Sequence, residues 1–141
     1  MSERIAIVRV RGLHHIRHDI DNTLNILHLR RKHSCAVVEK NPTTIGMVRK
    51  IKDYVTFGEV NDDVYNILVE KRGQLYKGRI DPKGKIGNKF IVINNKNYKP
   101  FFRLSPPKKG FEREGLKMSF RQGGVLGDRG EKINDLLMRM V

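Results

Sequence analysis

The sequence predicts an α/β fold: a compact βαβαβ sheet with two helices on one face, followed by a basic, loop-rich C-terminal extension that ends in a helix. Three observations carry this. Short β-branched runs at residues 5–10, 34–39 and 54–60 are separated by two stretches whose apolar residues recur at helical spacing. Turn residues crowd residues 74–121, where regular periodicity fails. Helical periodicity then returns at Ile133, Leu136, Leu137 and Met140.

Residues 5–10, IAIVRV, form the first strand, and Gly12 ends it. The loop that follows carries a cluster of basic and imidazole side chains: Arg11, His14, His15, Arg17 and His18. Asp19 or Asp21 caps the first helix and complements its dipole, and Ile20, Leu24 and Leu27, with Ile16, form its inner stripe. The run Leu29-Arg30-Arg31-Lys32-His33 sets three fixed cations at the negative end of that helix. Residues 34–39, SCAVVE, read as a strand buried on one or both faces.

Asn41 can cap the second helix, about residues 42–52, and Pro42 suits its first position because the missing N–H has no partner there. Ile45, Val48 and Ile51 share one face; Arg49, Lys50 and Lys52 share another. Gly46 costs ~1 kcal/mol of helix stability relative to Ala. Either its bare backbone admits another chain or a phosphate, or it is simply tolerated. Residues 54–60 are the third strand. Short connections in this order imply right-handed crossovers between parallel strands, with both helices on one face. That is the geometry of half a ferredoxin-like unit.

Asn61-Asp62-Asp63 opens a third helix with Val64, Ile67 and Leu68 as its stripe and Gly73 as its stop. Residues 90–93 and 116–120 suggest short strands. Gly123-Gly124-Val125-Leu126-Gly127 leads to Asp128 as the cap of the last helix. The expected organisation is a core over residues 1–60 with residues 61–141 packed on it as an extension.

A chain of 141 residues suits one domain, burying ~65–70% of its unfolded surface. Its net charge is +14, and the excess is uneven. Residues 71–121 hold fifteen Lys and Arg against three acids, while the flanking segments nearly balance. Lys83, Lys85, Lys89, Arg103, Lys108, Lys109 and Arg121 all fall in that stretch, and Arg129 follows it. So one-signed a surface calls for a polyanion, nucleic acid before an anionic membrane. The single cysteine, Cys35, excludes an intramolecular disulfide and a multi-cysteine zinc site, and points to a reducing compartment. Met1-Ser2-Glu3-Arg4 runs into a strand without a leader-like apolar segment, and no apolar run is long enough to span a membrane. The expectation is a cytoplasmic protein with no membrane partner.

The chemistry-bearing motifs are weak. Residues 78–85, GRIDPKGK, share the composition of a nucleotide-binding loop, but Ile86 stands where Ser or Thr is needed and no strand leads into a helix. The glycines at 123–127 could present backbone N–H groups to a phosphate or form a docking turn. The histidines lack Cys or carboxylate partners for a metal, and contact with phosphate or base edges suits them better. Ser34 and Cys35 lie in a strand with no triad spacing, and Asp62-Asp63 reads as a cap. No catalytic residue, metal, cofactor or small-molecule substrate is expected. Aromatic residues interleave the downstream cations, among them Tyr76, Phe90, Tyr98, Phe101 and Phe102. They could stack on unpaired bases, although Phe90 and Phe101 read more naturally as pins holding the extension to the core.

Residues 5–60 resemble the large-subunit ribosomal protein family numbered thirty in the universal scheme, whose eukaryotic members are often numbered seven. The resemblance rests on Ile7-Val8-Arg9, on Thr23-Leu24 through Leu29-Arg30-Arg31, and on Asn41-Pro42-Thr43-Thr44-Ile45-Gly46-Met47-Val48-Arg49-Lys50-Ile51. PFFRLSPPKKGF and SFRQGGVLGDRGEKINDLLMRM extend it to the longer archaeal form. It implies a ribosome-bound structural protein contacting large-subunit rRNA near 5S rRNA and the central protuberance, beside neighbouring large-subunit proteins. By position it assigns RNA contact to Arg30, Arg31 and Lys32 in the basic turn and to Thr44, Gly46 and Arg49 in the second helix. The competing reading is an RNA-processing or RNA-modification accessory subunit, which would need a reactive group that the sequence does not offer.

Overall fold

The structure is a computed structural model and describes residues 3–11, 14–77, 91–93, 95–111, 113, 115 and 117–141. Its elements in chain order are β1 (Arg4–Arg9), α1 (His18–Ile26), β2 (Ser34–Glu39), α2 (Pro42–Lys50), β3 (Val55–Glu59), α3 (Asp62–Arg72), β4 (Ile91–Ile93), β5 (Lys96–Tyr98), β6 (Phe102–Arg103), β7 (Gly127–Asp128) and α4 (Ile133–Met140). The main sheet has the order β6-β2-β1-β3-β7, and β4 and β5 form a separate hairpin. The expected βαβαβ body is present, with a basic extension ending in a helix.

Strand direction differs from the expectation of parallel crossovers. β1 pairs antiparallel with both β2 and β3, with Val8 opposite Cys35 and Thr56. The reason lies in where α1 delivers the chain. A six-residue strand spans ~20 Å and a nine-residue helix only ~13.5 Å. The turn after α1 is moreover fastened to the last residue of β1, with the His33 amide donating to the Arg9 carbonyl at 2.7 Å. β2 therefore starts where β1 stops and must run back along it. The crossover through α2 then joins β2 to β3, which are parallel to each other with β1 between them.

This topology buries both faces of β1, which explains its unbroken apolar run. On one face Ile5, Ile7, Ala36 and Val55 pack under Leu24 and Leu27 of the α1 region and Val48 and Ile51 of the α2 region. On the other, Ala6, Val8 and Cys35 meet Val64 and Leu68 of α3 and Ile133, Leu136, Leu137 and Met140 of α4. The α4 stripe is fully buried, as its spacing predicts. In α3, Tyr65 and Val69 rather than Ile67 pack beside Val64 and Leu68. Cys35 is wholly buried, and desolvation pushes its thiol up to about 12.

The extension also completes the sheet. β6 pairs with β2 through Ser34–Arg103 and Cys35–Phe102, and β7 runs parallel to β3 through Thr56–Gly127 and Phe57–Asp128. The strand expected at residues 116–120 is not one: Ser119 makes only an isolated bridge to Leu126, and a 3-10 turn follows at Phe120–Gln122. Leu116 and Phe90 lie outside the described residues. Gly73 ends α3 with φ −63°, not in the left-handed region, and is required by crowding against the Val69 carbonyl and the Tyr98 ring.

Candidate nucleic-acid interface

The basic turn is shaped before its cations are placed. α1 ends as the Leu29 amide donates to the Leu24 carbonyl at 2.8 Å and the His28 amide to the Asn25 carbonyl at 3.1 Å, with His28 at φ +62°. This is a Schellman ending with His in the position that Gly usually takes, and the apolar pair that accompanies it is Leu24 with Leu29, both fully buried. The Arg9 guanidinium then grips the Leu29 carbonyl from inside. Arg30, Arg31 and Lys32 follow as exposed residues on a backbone fixed at both ends. They lie beyond α1 rather than in its last turn, which holds no basic residue.

His33 closes the turn at φ +65°, with its ring stacked on Phe111 at 5.9 Å between centroids. Burial first and Lys32 second lower its pKa. The amide of Leu104 donates to the His33 carbonyl at 3.1 Å, which draws the β6 segment to the same end of the sheet.

Between the turn and that segment lies a cleft of about 560 Å³. Arg30, Arg31, Lys99 and Arg103 supply its charge, and Tyr76 and Phe101 its rings. No carboxylate lines it among the described residues. The backbone behind it is tied down: the Tyr76 amide donates to Asn97 and the Lys99 amide to Gln74, each at 2.8 Å. The Arg103 guanidinium sits 5.7 Å from the Phe101 ring centroid, a cation–π distance.

The structure brings Arg30, Arg31 and Arg103 together in this cleft and leaves Lys32, Arg11, His14, His15 and Arg17 at the same end of the sheet. Arg11 stacks over Tyr54 at 5.5 Å, and Arg17 pairs with Asp19 at 3.4 Å. Thr44, Gly46 and Arg49 lie apart, on α2. Arg49 borders a second cleft of about 450 Å³ that also holds Lys40, Glu59, Asp128 and Glu131. Lys108, Lys109 and Arg121 are exposed. Lys83, Lys85 and Lys89 lie outside the described residues, as does the whole 78–85 motif.

Two residues stand in surroundings that the sequence does not suggest. Arg129 is 5% exposed and its guanidinium is engaged inside, with Nε donating to Thr56 Oγ1 at 2.7 Å and the Phe120 ring 4.9 Å away. In this position it fastens the segment after β7 to Thr56 of β3. Phe101 is not the pin that it was expected to be. Phe102, 1% exposed, holds the extension to the core. Phe101, its neighbour at the strand's edge, lines the cleft, as alternation along an extended chain dictates. The glycine segment at 123–127 is a docking turn: the amides of Gly123, Gly124, Val125 and Leu126 donate to Phe120, Ser119, Met118 and Met118 carbonyls, leaving none of these four for a phosphate. Asp128 is not the cap expected for the last helix, whose N-cap position is Lys132; its Oδ1 accepts from the Gly130 amide at 2.8 Å in the turn before α4.

Sequence reasoning missed Lys99 and the meeting of Tyr76 and Phe101 with the basic turn, because these segments lie more than forty residues beyond that turn. Among the described residues, no three His, Cys, Asp or Glu side chains converge as a metal-binding group, and no helix is long and apolar enough to cross a membrane.

Fold and cleft together define a class: a small, basic α/β protein whose recessed surface suits an anionic polymer. Comparison with known proteins narrows it. The family model for ribosomal protein L30p/L7e matches residues 5–55. The chain is 39% identical to the large ribosomal subunit protein uL30 of Nanoarchaeum equitans, over 96% of this chain and 97% of that one. It is 39% identical to the uL30 of Methanopyrus kandleri, over 94% and 100%, and 40% identical to that of Methanococcus maripaludis, over 96% and 98%. The chain belongs to the uL30 family of large-subunit ribosomal proteins, a family of structural proteins and not of enzymes.

Proposed function

We propose that this protein is a ribosome-bound cytoplasmic constituent of the large subunit that binds large-subunit rRNA near 5S rRNA, beside other large-subunit proteins, and holds folded RNA in place. The observation that carries the reading is the cation-lined cleft at one end of the sheet. Arg30, Arg31, Lys99 and Arg103 converge there, and none of the four pairs with a carboxylate among the described residues. Cations on a rigid frame neutralise phosphates at little ordering cost. The site near 5S rRNA is supported by the resemblance of residues 5–60 and the length of the archaeal form.

Counterion release supplies the test. Association with large-subunit rRNA should weaken steeply with salt, and replacing Arg30, Arg31 and Lys32 by Glu should flatten the slope of log K against log salt by about 2–3. The variant should also fail to cofractionate with large subunits through a high-salt wash. An unchanged slope at unchanged affinity would remove the basic turn from the interface.

A further inference from the structure

We propose that the cleft between the basic turn and the β5–β6 connection receives one unstacked nucleotide of RNA, its base against Phe101 and Tyr76 and its phosphates on Arg30, Arg31, Lys99 and Arg103. The inference rests on the RNA-binding reading above and deepens it from a charged surface to a defined pocket.

Three features of the cleft favour a single nucleotide over a continuous duplex. The first is shape. A duplex backbone is met by cations on an open surface, whereas this site is recessed and, at about 560 Å³, has the size of pockets that enclose small ligands. The second is the pairing of rings with charge. Unpaired RNA bases are held by stacking on aromatic side chains and guanidinium planes, and the Arg103 guanidinium already lies over Phe101. Tyr76 supplies a second ring, and Ser34, 4% exposed, supplies a hydroxyl at the buried edge of the cleft.

The third feature is the sign of the lining. The second cleft, of comparable size, mixes Lys40 and Arg49 with Glu59, Asp128 and Glu131, and Lys40 is bonded to Glu59 at 2.6 Å. That arrangement satisfies its own charges. The first cleft has four fixed cations and no carboxylate among the described residues, and an anionic ligand complements that lining. Its Tyr76–Lys99 wall is held by two backbone hydrogen bonds, from Tyr76 to Asn97 and from Lys99 to Gln74. A pocket fixed in advance loses little entropy when a nucleotide enters.

The test compares two RNA hairpins that differ only by one bulged 2-aminopurine, bound to the full chain in titrations at fixed salt. The bulged hairpin should bind at least ten-fold more tightly, and its fluorescence should be quenched as the base stacks. Phe101→Leu keeps an apolar side chain and removes the stacking ring. It should reduce the preference about 5- to 150-fold, the range for loss of one stacked base, and abolish the quench. Retention of the wild-type thermal transition by this variant shows that the fold is intact. Tyr76→Leu is the second variant should the first unfold, with the same loss expected. Equal, salt-sensitive binding of both hairpins by the wild type, or a quench untouched by both variants, overturns the pocket while leaving RNA binding standing. Failure of the wild type to bind either hairpin or intact large-subunit rRNA overturns the broader reading as well.

Discussion

Arg9, in the central strand β1, donates through Nη1 to the carbonyl of Leu29 at 2.7 Å. The side chain is 3% exposed, and desolvation lowers its pKa against the opposing field of Asp21. The bond ties the middle of the sheet to the residue from which the cationic turn departs. A buried charge is therefore working on exposed ones: it fixes where Arg30 and Arg31 stand without touching a ligand itself.

Arg9→Met should accordingly do two things. Loss of a charge-assisted hydrogen bond, with the Leu29 carbonyl left unpaired, should lower stability by about 1.5–3 kcal/mol in chemical denaturation. It should also weaken rRNA binding at temperatures where the variant is folded, although Arg30, Arg31 and Lys32 are intact. Full affinity in the folded variant would show that the turn holds its shape through its backbone bonds alone.

His33 makes the other end of the turn sensitive to pH. Its folded pKa lies below the usual 6.5 because burial, and then Lys32, disfavour the imidazolium. The unfolded chain therefore binds a proton that the folded chain excludes, so stability is full above about pH 6.5 and falls as pH drops through the folded pKa. His33→Asn tolerates the positive φ and removes the titration. Melting temperatures between pH 7.5 and 5 should fall more for the wild type than for this variant. Parallel curves would mean that His33 titrates as it does in the unfolded chain.

At Gly58 the need for glycine comes from crowding and not from backbone freedom. A Cβ on Gly58 of β3 would press on the Gly130 carbonyl and come within 2.9 Å of Ile133 Cβ, in the seam where α4 lies on the sheet. Gly58→Ala should cost about 1–3 kcal/mol, the usual range for overpacking. An urea titration with a neutral result would indicate that the α4 segment shifts outward at no cost.

How much of this was legible in the sequence depends on the range of the interactions. The α4 stripe, the bounds of β2 and Pro42 at the start of α2 follow from local spacing, and they stand as read. Strand direction did not, because the antiparallel pairing of β1 with β2 depends on a contact between Arg9 and a turn twenty residues later. Arg129 reads as one more exposed cation until Thr56 and Phe120 are seen around it. Phe101 and Phe102 are indistinguishable in composition; only the register of β6 against β2 decides which is buried. The cleft has Arg30, Arg31 and Arg103 from the expected set, but Lys99 and Tyr76 join it through the hairpin, which no local pattern places beside the basic turn.

Gly46 offers the sharpest separation of stability from binding. It sits on the exposed side of α2, and a Cβ built there meets nothing within 4 Å. The protein itself gives no packing reason for glycine, so Gly46→Ala should raise stability by up to ~1 kcal/mol through helix propensity. If α2 faces rRNA closely, as the resemblance implies, the added methyl should meet the ligand and weaken binding even as the melting temperature rises. Both effects are measured on one purified variant, by thermal denaturation and by titration with large-subunit rRNA. A more stable protein with unaltered affinity would leave Gly46 as a tolerated residue and move the α2 contact to the flanking Thr44 and Arg49, whose own alanine variants then carry the assignment.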